Sequence, residues 1–155
     1  MSKEAFEEIV REIAELVGEA PLDAALAERL NEDCPVEGET FRRLGELCAE
    51  GEGDGWLMQR EAGGIRFGRA VKPGGAAGRF SVDVVRMADV VGPHHVHTQG
   101  EIGAVLPVEG SPRFDGLPAG WYVYPPGSAH HPTVSGGTAY VLYLLPEGAI
   151  EFTGR

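Results

Sequence analysis

The apolar residues of the first third of the chain recur with the 3.6-residue period of an α-helix. One apolar stripe consists of Phe6, Ile9, Val10, Ile13, Leu16 and Val17. The spacing of Leu22, Leu26 and Leu30 predicts a short second helix, and a third helix is predicted from about Thr40 to Cys48. Glutamates cover the opposite side of the first helix, as is typical of a solvated face.

The period changes from 3.6 to 2 after the glycine-rich segment 51–55. Ile65 and Phe67 alternate with polar neighbours, and segment 73–78 is predicted to be a turn between strands. Short apolar runs then alternate with Gly and Pro clusters, at residues 82–87, 102–108, 121–124 and 139–145. This pattern predicts a mainly β fold of sandwich or barrel type. We expect a helical segment over residues 1–52 that packs on a compact β-barrel formed by residues 53–155.

Composition limits the classes of function that the chain can have. Its 155 residues are 43% hydrophobic and 24% charged, which is ordinary for one soluble globular domain. The formal net charge of −11 argues against a nucleic-acid partner, because phosphate binding needs clustered Lys and Arg. Cys34 and Cys48 lack metal-finger spacing, and a pair of reduced, buried thiols is the simplest interpretation. With no signal peptide or bilayer-length apolar run, we expect a cytoplasmic protein without membrane contact.

Candidate metal ligands are concentrated in one part of the chain, since all five histidines fall between residues 94 and 131. His95 and His97 are two residues apart, so on a β-strand both side chains point to the same face. Glu101 and His130 would complete a set of three imidazoles and one carboxylate. This set accepts a divalent transition metal, but the sequence does not decide among Fe, Mn, Ni, Cu and Zn.

Two predicted turns would bring the ligands together. Residues 98–100 form a three-residue turn in which Gly100 takes a left-handed conformation, as in a bulged hairpin. The chain would then return with Glu101 facing the same pocket. Residues 125–129 form a second rigid turn that would deliver His130 from another strand.

Other polar residues near these motifs are weaker candidates. His94 and His131 have the opposite strand parity from the predicted ligands, so we interpret them as surface or supporting residues. Tyr122 and Tyr124 would donate a proton or contact an aromatic ring if they face the cavity. Four cations are candidate partners of a substrate carboxylate: Arg66, Arg69, Lys72 and Arg113.

The two histidine motifs resemble the signature of the cupin superfamily, a jelly-roll barrel also called the double-stranded β-helix. The resemblance covers a Gly followed by His-x-His and Glu, and then Pro-x-Gly-x-x-His. It implies metal ligands at His95, His97, Glu101 and His130. The chain departs from the pattern in the spacing around its first motif and at Val134, where Asn is typical.

A narrower resemblance, spanning most of the chain, is to the bacterial 4-hydroxylaminobenzoate lyase family. The matching blocks include residues 55–58, 66–69, 80–84, 112–116, 125–128, 132–137 and 145–149. The resemblance implies an enzyme of nitroaromatic breakdown that converts 4-hydroxylaminobenzoate to 3,4-dihydroxybenzoate and releases ammonia. A metal-bound water would suit that chemistry, with Glu101, Tyr122 or Tyr124 moving protons. Arg66 or Arg113 would bind the carboxylate of this small aromatic substrate.

Two other functions fit the same residues. Three imidazoles and one carboxylate also suit a non-haem iron dioxygenase or oxidoreductase acting on an aromatic acid. A small-molecule-binding module with a structural metal would need the same fold and no catalysis. In each case we expect a homodimer, as is common among cupins.

Overall fold

The computed structural model describes residues 2–155, in which three helices precede nine β-strands. The helices are α1 (Ser2–Val17), α2 (Ala24–Asp33) and α3 (Glu39–Asp54). The strands are β1 (Arg60–Ala62), β2 (Ile65–Val71), β3 (Phe80–Val91), β4 (His95–His97), β5 (Glu101–Phe114), β6 (Gly120–Tyr124), β7 (Ser128–His130), β8 (Thr133–Pro146) and β9 (Glu151–Phe152). The prediction of a mainly β fold with an N-terminal helical segment is confirmed.

The strands form two antiparallel sheets. Six strands make the larger sheet, in the order β1-β2-β3-β8-β5-β6. The smaller sheet has the order β7-β4-β9. The long strands β3, β8 and β5 lie side by side at the centre of the larger sheet, so they supply most of both its faces.

One face of the larger sheet packs against the helices. Alternate residues such as Val82, Val84, Leu142 and Leu144 share one hydrophobic core with the buried residues of all three helices. Phe6, Leu30, Leu44 and Leu47 are among the large helical contributors and are 0–1% exposed. Polar contacts add to this core, since the Trp121 indole donates to the backbone carbonyl of Cys34 over 3.0 Å. The helical segment and the sheet are therefore joined by one continuous apolar layer.

The opposite face of the larger sheet looks toward the smaller sheet. A second buried cluster lies there, formed by Ile65, Met87, Val105, Phe114, Tyr122, Val134, Ala139 and Val141. These residues occupy the alternate positions of the same strands that build the first core, as the two-residue period of a strand requires. This inner face carries the candidate site.

Helix α3 is longer than the sequence pattern predicts. It continues through Gly51 and Gly53 to Asp54 and ends at Gly55, whose φ of +81° is the left-handed conformation typical of a helix C-terminus. The division drawn between residues 52 and 53 thus falls in the last turn of a helix. Within this last part of the helix Gly51 is buried against Trp56 and Leu57, whereas Gly53 is exposed.

The two cysteines, Cys34 and Cys48, are free and buried, as predicted for reduced thiols. Burial raises the pKa of both, so both stay protonated at neutral pH. Within residues 2–155, none of the helices has both the length and the apolar character that a bilayer span requires.

Two glycines of α3 give opposite predictions for the same substitution. A Cβ at Gly51 would lie 2.8 Å from the Leu57 Cβ and from the Trp56 ring, whereas a Cβ at Gly53 would meet nothing within 4 Å. We expect Gly51→Ala to lower the free energy of unfolding by about 1–3 kcal/mol through overpacking. Gly53→Ala should raise it by about 0.5–1 kcal/mol through helix propensity.

Urea unfolding of the two variants, followed by circular dichroism, measures both effects. A stabilising Gly51→Ala would mean that Trp56 and Leu57 do not pack closely against Gly51.

Candidate metal centre

Three histidines project from one face of the smaller sheet. His95 and His97 lie on β4 and share a face, as their spacing predicts. His130 lies on β7, where it pairs directly opposite His95 in the antiparallel register. Residues paired in this way have neighbouring side chains on the same face of the sheet. His97 is fully buried and His95 is 7% exposed.

Glu101 reaches the histidines from the larger sheet. The turn predicted at residues 98–100 is present, and Gly100 has a φ of +90°. A Cβ at Gly100 would lie 2.8 Å from the Tyr124 carbonyl oxygen, so only glycine fits there. The predicted hairpin is wrong, because β5 pairs with β6 and β8 and not with β4. The turn instead carries the chain from one sheet to the other, and Glu101 still faces the histidines.

Four side chains thus converge from two sheets. The Nε2 atoms of His95, His97 and His130 are separated by 2.9, 3.0 and 2.9 Å. The Glu101 Oε1 lies 2.9 Å from the His97 Nε2. One ligand atom from each residue lies within 4.8 Å of all the others.

Hydrogen bonding among the histidines cannot account for this arrangement. Each Nε2 of a neutral imidazole carries either a proton or a lone pair, so two of the three atoms must be alike. At least one of the three close contacts therefore sets proton against proton or lone pair against lone pair. A cation removes the conflict, because all three nitrogens then present lone pairs to it.

The protonation state of His95 also fits a site that binds a cation. Burial, together with the neighbouring imidazoles of His97 and His130, lowers the pKa of His95 to about 4. His95 is therefore neutral at neutral pH, which is the state in which an imidazole binds a metal. The donor set of three imidazoles and one carboxylate fits a divalent transition metal.

Tyr122 fixes the orientation of Glu101. Its hydroxyl donates to the Glu101 Oε2 over 2.5 Å, which leaves Oε1 directed toward the histidines. Burial, then the negative charge of Glu101, raises the pKa of Tyr122 well above its ordinary value. The phenol therefore stays protonated and keeps donating to the carboxylate.

Asp115 fixes the orientation of His130, as Tyr122 does for Glu101. Asp115 was not singled out by sequence analysis. Its Oδ2 lies 2.6 Å from the His130 Nδ1 and accepts from the Tyr124 hydroxyl over 2.7 Å. Its Oδ1 accepts from the Thr133 backbone N–H. Although burial acts to raise it, these hydrogen bonds hold the pKa of Asp115 below its ordinary value. Because a carboxylate only accepts, His130 carries its proton on Nδ1 and leaves the Nε2 lone pair free for a metal.

Three of the four side chains, those of His95, Glu101 and His130, border a cavity of about 210 Å³, and His97 lies buried behind them. His95, Glu101 and His130 form its polar end together with Tyr143. The remaining wall is apolar: Ala62, Ile65, Phe67, Val85, Met87, Pro93, Phe114, Pro132, Val141, Ile150 and Phe152. A concave apolar space with a few convergent polar groups is the usual form of a small-molecule site.

The structure does not bring Arg66 or Arg113 to this cavity. Strand parity places Ile65 and Phe67 toward the cavity and Arg66 toward the helices, where its Nη2 donates to the Met58 carbonyl over 3.2 Å. The exposed Arg113 donates to the Gly116 carbonyl over 3.2 Å. Neither position lets the guanidinium contact a molecule held beside the histidines.

The remaining candidates also receive definite positions. The hydroxyls of Tyr122 and Tyr124 both donate to carboxylates and do not border the cavity. Tyr143, which sequence analysis did not single out, is the tyrosine that does. Its strand parity with Val141 was the available signal. The half-buried His94 and the exposed His131 pack together, with ring centroids 4.8 Å apart, outside the cluster.

Two antiparallel sheets face each other across a buried cluster of three histidines and one glutamate, which lies beside an apolar cavity. The protein is therefore a mainly β protein with an internal candidate metal site. Residues 8–152 match the family model described as PnbB: 4-hydroxylaminobenzoate lyase. The chain belongs to this family, which confirms the predicted resemblance and the prediction of an enzyme of the lyase class.

Individual relatives agree with the family match. A 4-hydroxylaminobenzoate lyase of Nocardioides sp. (strain LMS-CY) is 31% identical over 132 residues, which cover 79% of this chain and 78% of the relative. One from Pseudomonas putida is 29% identical over 140 residues, which cover 79% of this chain and 80% of the relative. The solved structure of an RmlC-like cupin protein from Ralstonia eutropha has a TM-score of 0.43 at 14% identity, covering 58% of this chain and 60% of that one. The assignment of the chain to the 4-hydroxylaminobenzoate lyase family is based on the family-model match.

Asp115 gives the sharpest test of the metal centre that leaves its four ligands intact. The amide of Asp115→Asn has two possible orientations, and each places its NH₂ group against a hydrogen-bond donor. In one orientation the NH₂ group faces the Thr133 N–H, and in the other it faces the His130 N–H and the Tyr124 hydroxyl. We expect metal affinity to fall by about 10- to 100-fold, as on loss of other partners of ligating histidines. Competition with a chromogenic chelator measures this affinity.

Asp89→Asn is the matched control. Asp89 also has a positive φ, of +44°, and also accepts from a backbone N–H, that of Gly136, but contacts no histidine. Equal metal affinity in the two variants would show that Asp115 does not support the centre.

Proposed function

We propose that this protein is a metal-dependent lyase that converts 4-hydroxylaminobenzoate to 3,4-dihydroxybenzoate with release of ammonia. The observation that carries the proposal is the buried ligand cluster bordering an apolar cavity, in a chain of the 4-hydroxylaminobenzoate lyase family. The substrate is the one that the family description names, the product is what the resemblance in the sequence implies, and the metal dependence is argued from the donor set.

The reaction balances without an external oxidant. One water is consumed, and the N–O bond, the C–N bond and one ring C–H bond of the substrate break. Two C–O bonds form on the ring, one in place of the nitrogen and one in place of the hydrogen, which leaves as a proton. The hydroxylamine nitrogen is reduced to ammonia while the ring is oxidised to a catechol, so both electron changes occur within one molecule. A site for this reaction needs a water, a route for protons and a space that holds one benzene ring.

The cavity meets the last requirement. Phe67, Phe114 and Phe152 are among its apolar lining residues. Phe152 also packs edge-on against His95, with ring centroids 5.5 Å apart, so the strand β9 helps to cover the cluster. Aromatic and aliphatic walls would hold the ring of the substrate and exclude bulk water from the reacting atoms.

His95, His97, Glu101 and His130 would hold the metal. When bound, a divalent cation there would supply Lewis acidity toward the hydroxylamine oxygen and lower the pKa of a water. We keep Fe, Mn, Ni, Cu and Zn as candidates, because the same donor set suits each of them.

Proton transfer is assigned to Glu101 among the predicted catalytic residues. Its carboxylate borders the cavity, and one oxygen is already occupied by the Tyr122 hydroxyl. When the three histidines hold the metal and Glu101 is not bound tightly to it, the other oxygen, Oε1, can take a proton from the attacking water and return it to the departing nitrogen. We propose that Tyr122 positions Glu101 and that Tyr124 acts through Asp115, since both phenols donate to carboxylates away from the cavity.

An iron-dependent dioxygenase is the second candidate, because three histidines and one carboxylate also suit non-haem iron. A binding module without catalysis is the third. Oxygen demand separates the first two functions, and turnover separates both from the third. The homodimer and the cytoplasmic location stay predictions from the sequence.

Anaerobic turnover tests the proposal. The metal-loaded protein is incubated without oxygen with 4-hydroxylaminobenzoate, and ammonia and 3,4-dihydroxybenzoate are measured. We expect both products in equal amounts, and we expect the double variant His95→Ala/His97→Ala to lose both its metal and at least about 100-fold of the rate.

The double variant His94→Ala/His131→Ala is the control, since it removes two nearby histidines that lie outside the cluster. It should keep its metal and its rate. Ammonia release that persists in His95→Ala/His97→Ala would remove the metal from the mechanism. Full metal occupancy without product would exclude the lyase, and oxygen uptake with aromatic acids would then favour the dioxygenase.

A further inference from the structure

A second, larger cavity of about 450 Å³ adjoins the first. Phe67, Tyr143, Ile150 and Phe152 line both cavities, so they form a common wall. The charges of the two spaces differ. The first has the metal ligands at its polar end, whereas Arg60, Arg69, Lys72 and Asp83 line the second.

The second cavity is positively charged in a strongly acidic chain. The whole protein has 13 Lys and Arg against 24 Asp and Glu. This cavity reverses that balance, since three cations line it with a single carboxylate. No carboxylate of residues 2–155 forms a salt bridge with Arg60 or Lys72. Unpaired cations at a cavity attract an anionic ligand.

Arg69 is held in a fixed orientation at this cavity. Its Nε and Nη2 lie 3.0 and 3.3 Å from the two carboxylate oxygens of Asp83. Its Nη2 also donates to the Gly148 carbonyl over 3.3 Å. Within residues 2–155 its Nη1 makes no hydrogen bond, so donor capacity remains for a ligand.

The Arg69 guanidinium lies where it can contact one end of a small molecule whose other end contacts the metal ligands. Glu101, Tyr143 and Asp83 lie on β5, β8 and β3, which are consecutive in the larger sheet. Gly103, Tyr143 and Asp83 lie opposite one another in the register, and Glu101 is two residues from Gly103. Two strand spacings across the sheet and two residues along it, roughly 12 Å in all, therefore separate the backbone of Glu101 from that of Asp83. Tyr143 lies between them, and its hydroxyl has no hydrogen-bond partner in the described part of the chain. The side chains of Glu101 and Arg69 take up part of this distance, and a benzene ring with one substituent at each end can span the rest.

We propose that the second cavity is a carboxylate subsite, in which Arg69 binds the carboxylate of a para-substituted aromatic acid whose other end lies at the metal ligands. Arg60 and Lys72 add positive potential, and the Tyr143 hydroxyl donates to the same carboxylate. This inference rests on the proposed function for the identity of the reacting end. It replaces Arg66 and Arg113 as the anchor, because strand parity directs Arg66 away and Arg113 lies outside both cavities.

A pair of unreactive ligands tests the subsite by binding alone. Titration calorimetry on the metal-loaded protein compares 4-aminobenzoate with aniline, which differs only in lacking the carboxylate. We expect the double variant Arg69→Gln/Asp83→Asn to raise the Kd for 4-aminobenzoate by about 10- to 100-fold, the range of a charge-assisted hydrogen bond. The Kd for aniline should stay within about twofold. Replacing both partners leaves no buried carboxylate unpaired.

Two further variants keep the test decisive if that protein folds poorly. Arg60→Gln/Lys72→Gln changes only exposed side chains and should weaken 4-aminobenzoate binding, more strongly at low salt, without affecting aniline. Arg113→Gln is the matched control and should leave both affinities unchanged. Equal losses for the two ligands, or loss of selectivity in Arg113→Gln alone, would overturn the subsite.

Kinetics separate this inference from the proposed function. If 4-hydroxylaminobenzoate is turned over and its KM is unchanged in Arg69→Gln/Asp83→Asn, the subsite is wrong and the lyase stands. If the wild type selects 4-aminobenzoate through Arg69 yet releases no ammonia from 4-hydroxylaminobenzoate, the lyase is wrong and the subsite stands.

Discussion

The alternation of side chains along the three central strands is the constraint on which the rest of the molecule depends. In β3, Val82 and Val84 pack against the helices, while Asp83 and Val85 line the cavities. Each strand therefore builds the hydrophobic core and the functional site with neighbouring residues. A shift of one residue in register would exchange the two sets, so burial of the apolar set also fixes the position of the polar one.

The geometry of the candidate metal centre depends on this arrangement of the strands. Three ligands lie on the smaller sheet and Glu101 lies on the larger one, so the distance between the sheets sets the geometry of the cluster. Tyr122 and Asp115 then hold Glu101 and His130 in single orientations through hydrogen bonds inside the protein. A metal would gain from ligands that need little reordering on binding.

Sequence alone predicts the parts of this site that depend on local spacing. The shared face of His95 and His97 and the left-handed turn at Gly100 follow from a few consecutive residues, and both are found. Which sheet a strand joins depends on distant partners, and the hairpin after Gly100 was therefore predicted wrongly. Asp115 was missed for the same reason, since the strand that carries His130 lies outside its local sequence. Strand parity alone could have favoured Arg69 over Arg66 as a cavity residue. Arg69 lies on the same face of β2 as Ile65 and Phe67, whereas Arg66 lies on the opposite face.

Net charge turns out to describe the surface of this protein better than its site. A total of −11 lowers the expectation of a polyanionic partner, and taken alone it would oppose an anionic substrate as well. Exposed charges are screened beyond about 8 Å at physiological ionic strength, so a small carboxylate responds mainly to the groups nearest to it. Around Arg69 those groups are two further cations and one carboxylate already committed to the guanidinium. The local charge can therefore be positive where the total is negative, and only the fold shows which cations are gathered at one cavity.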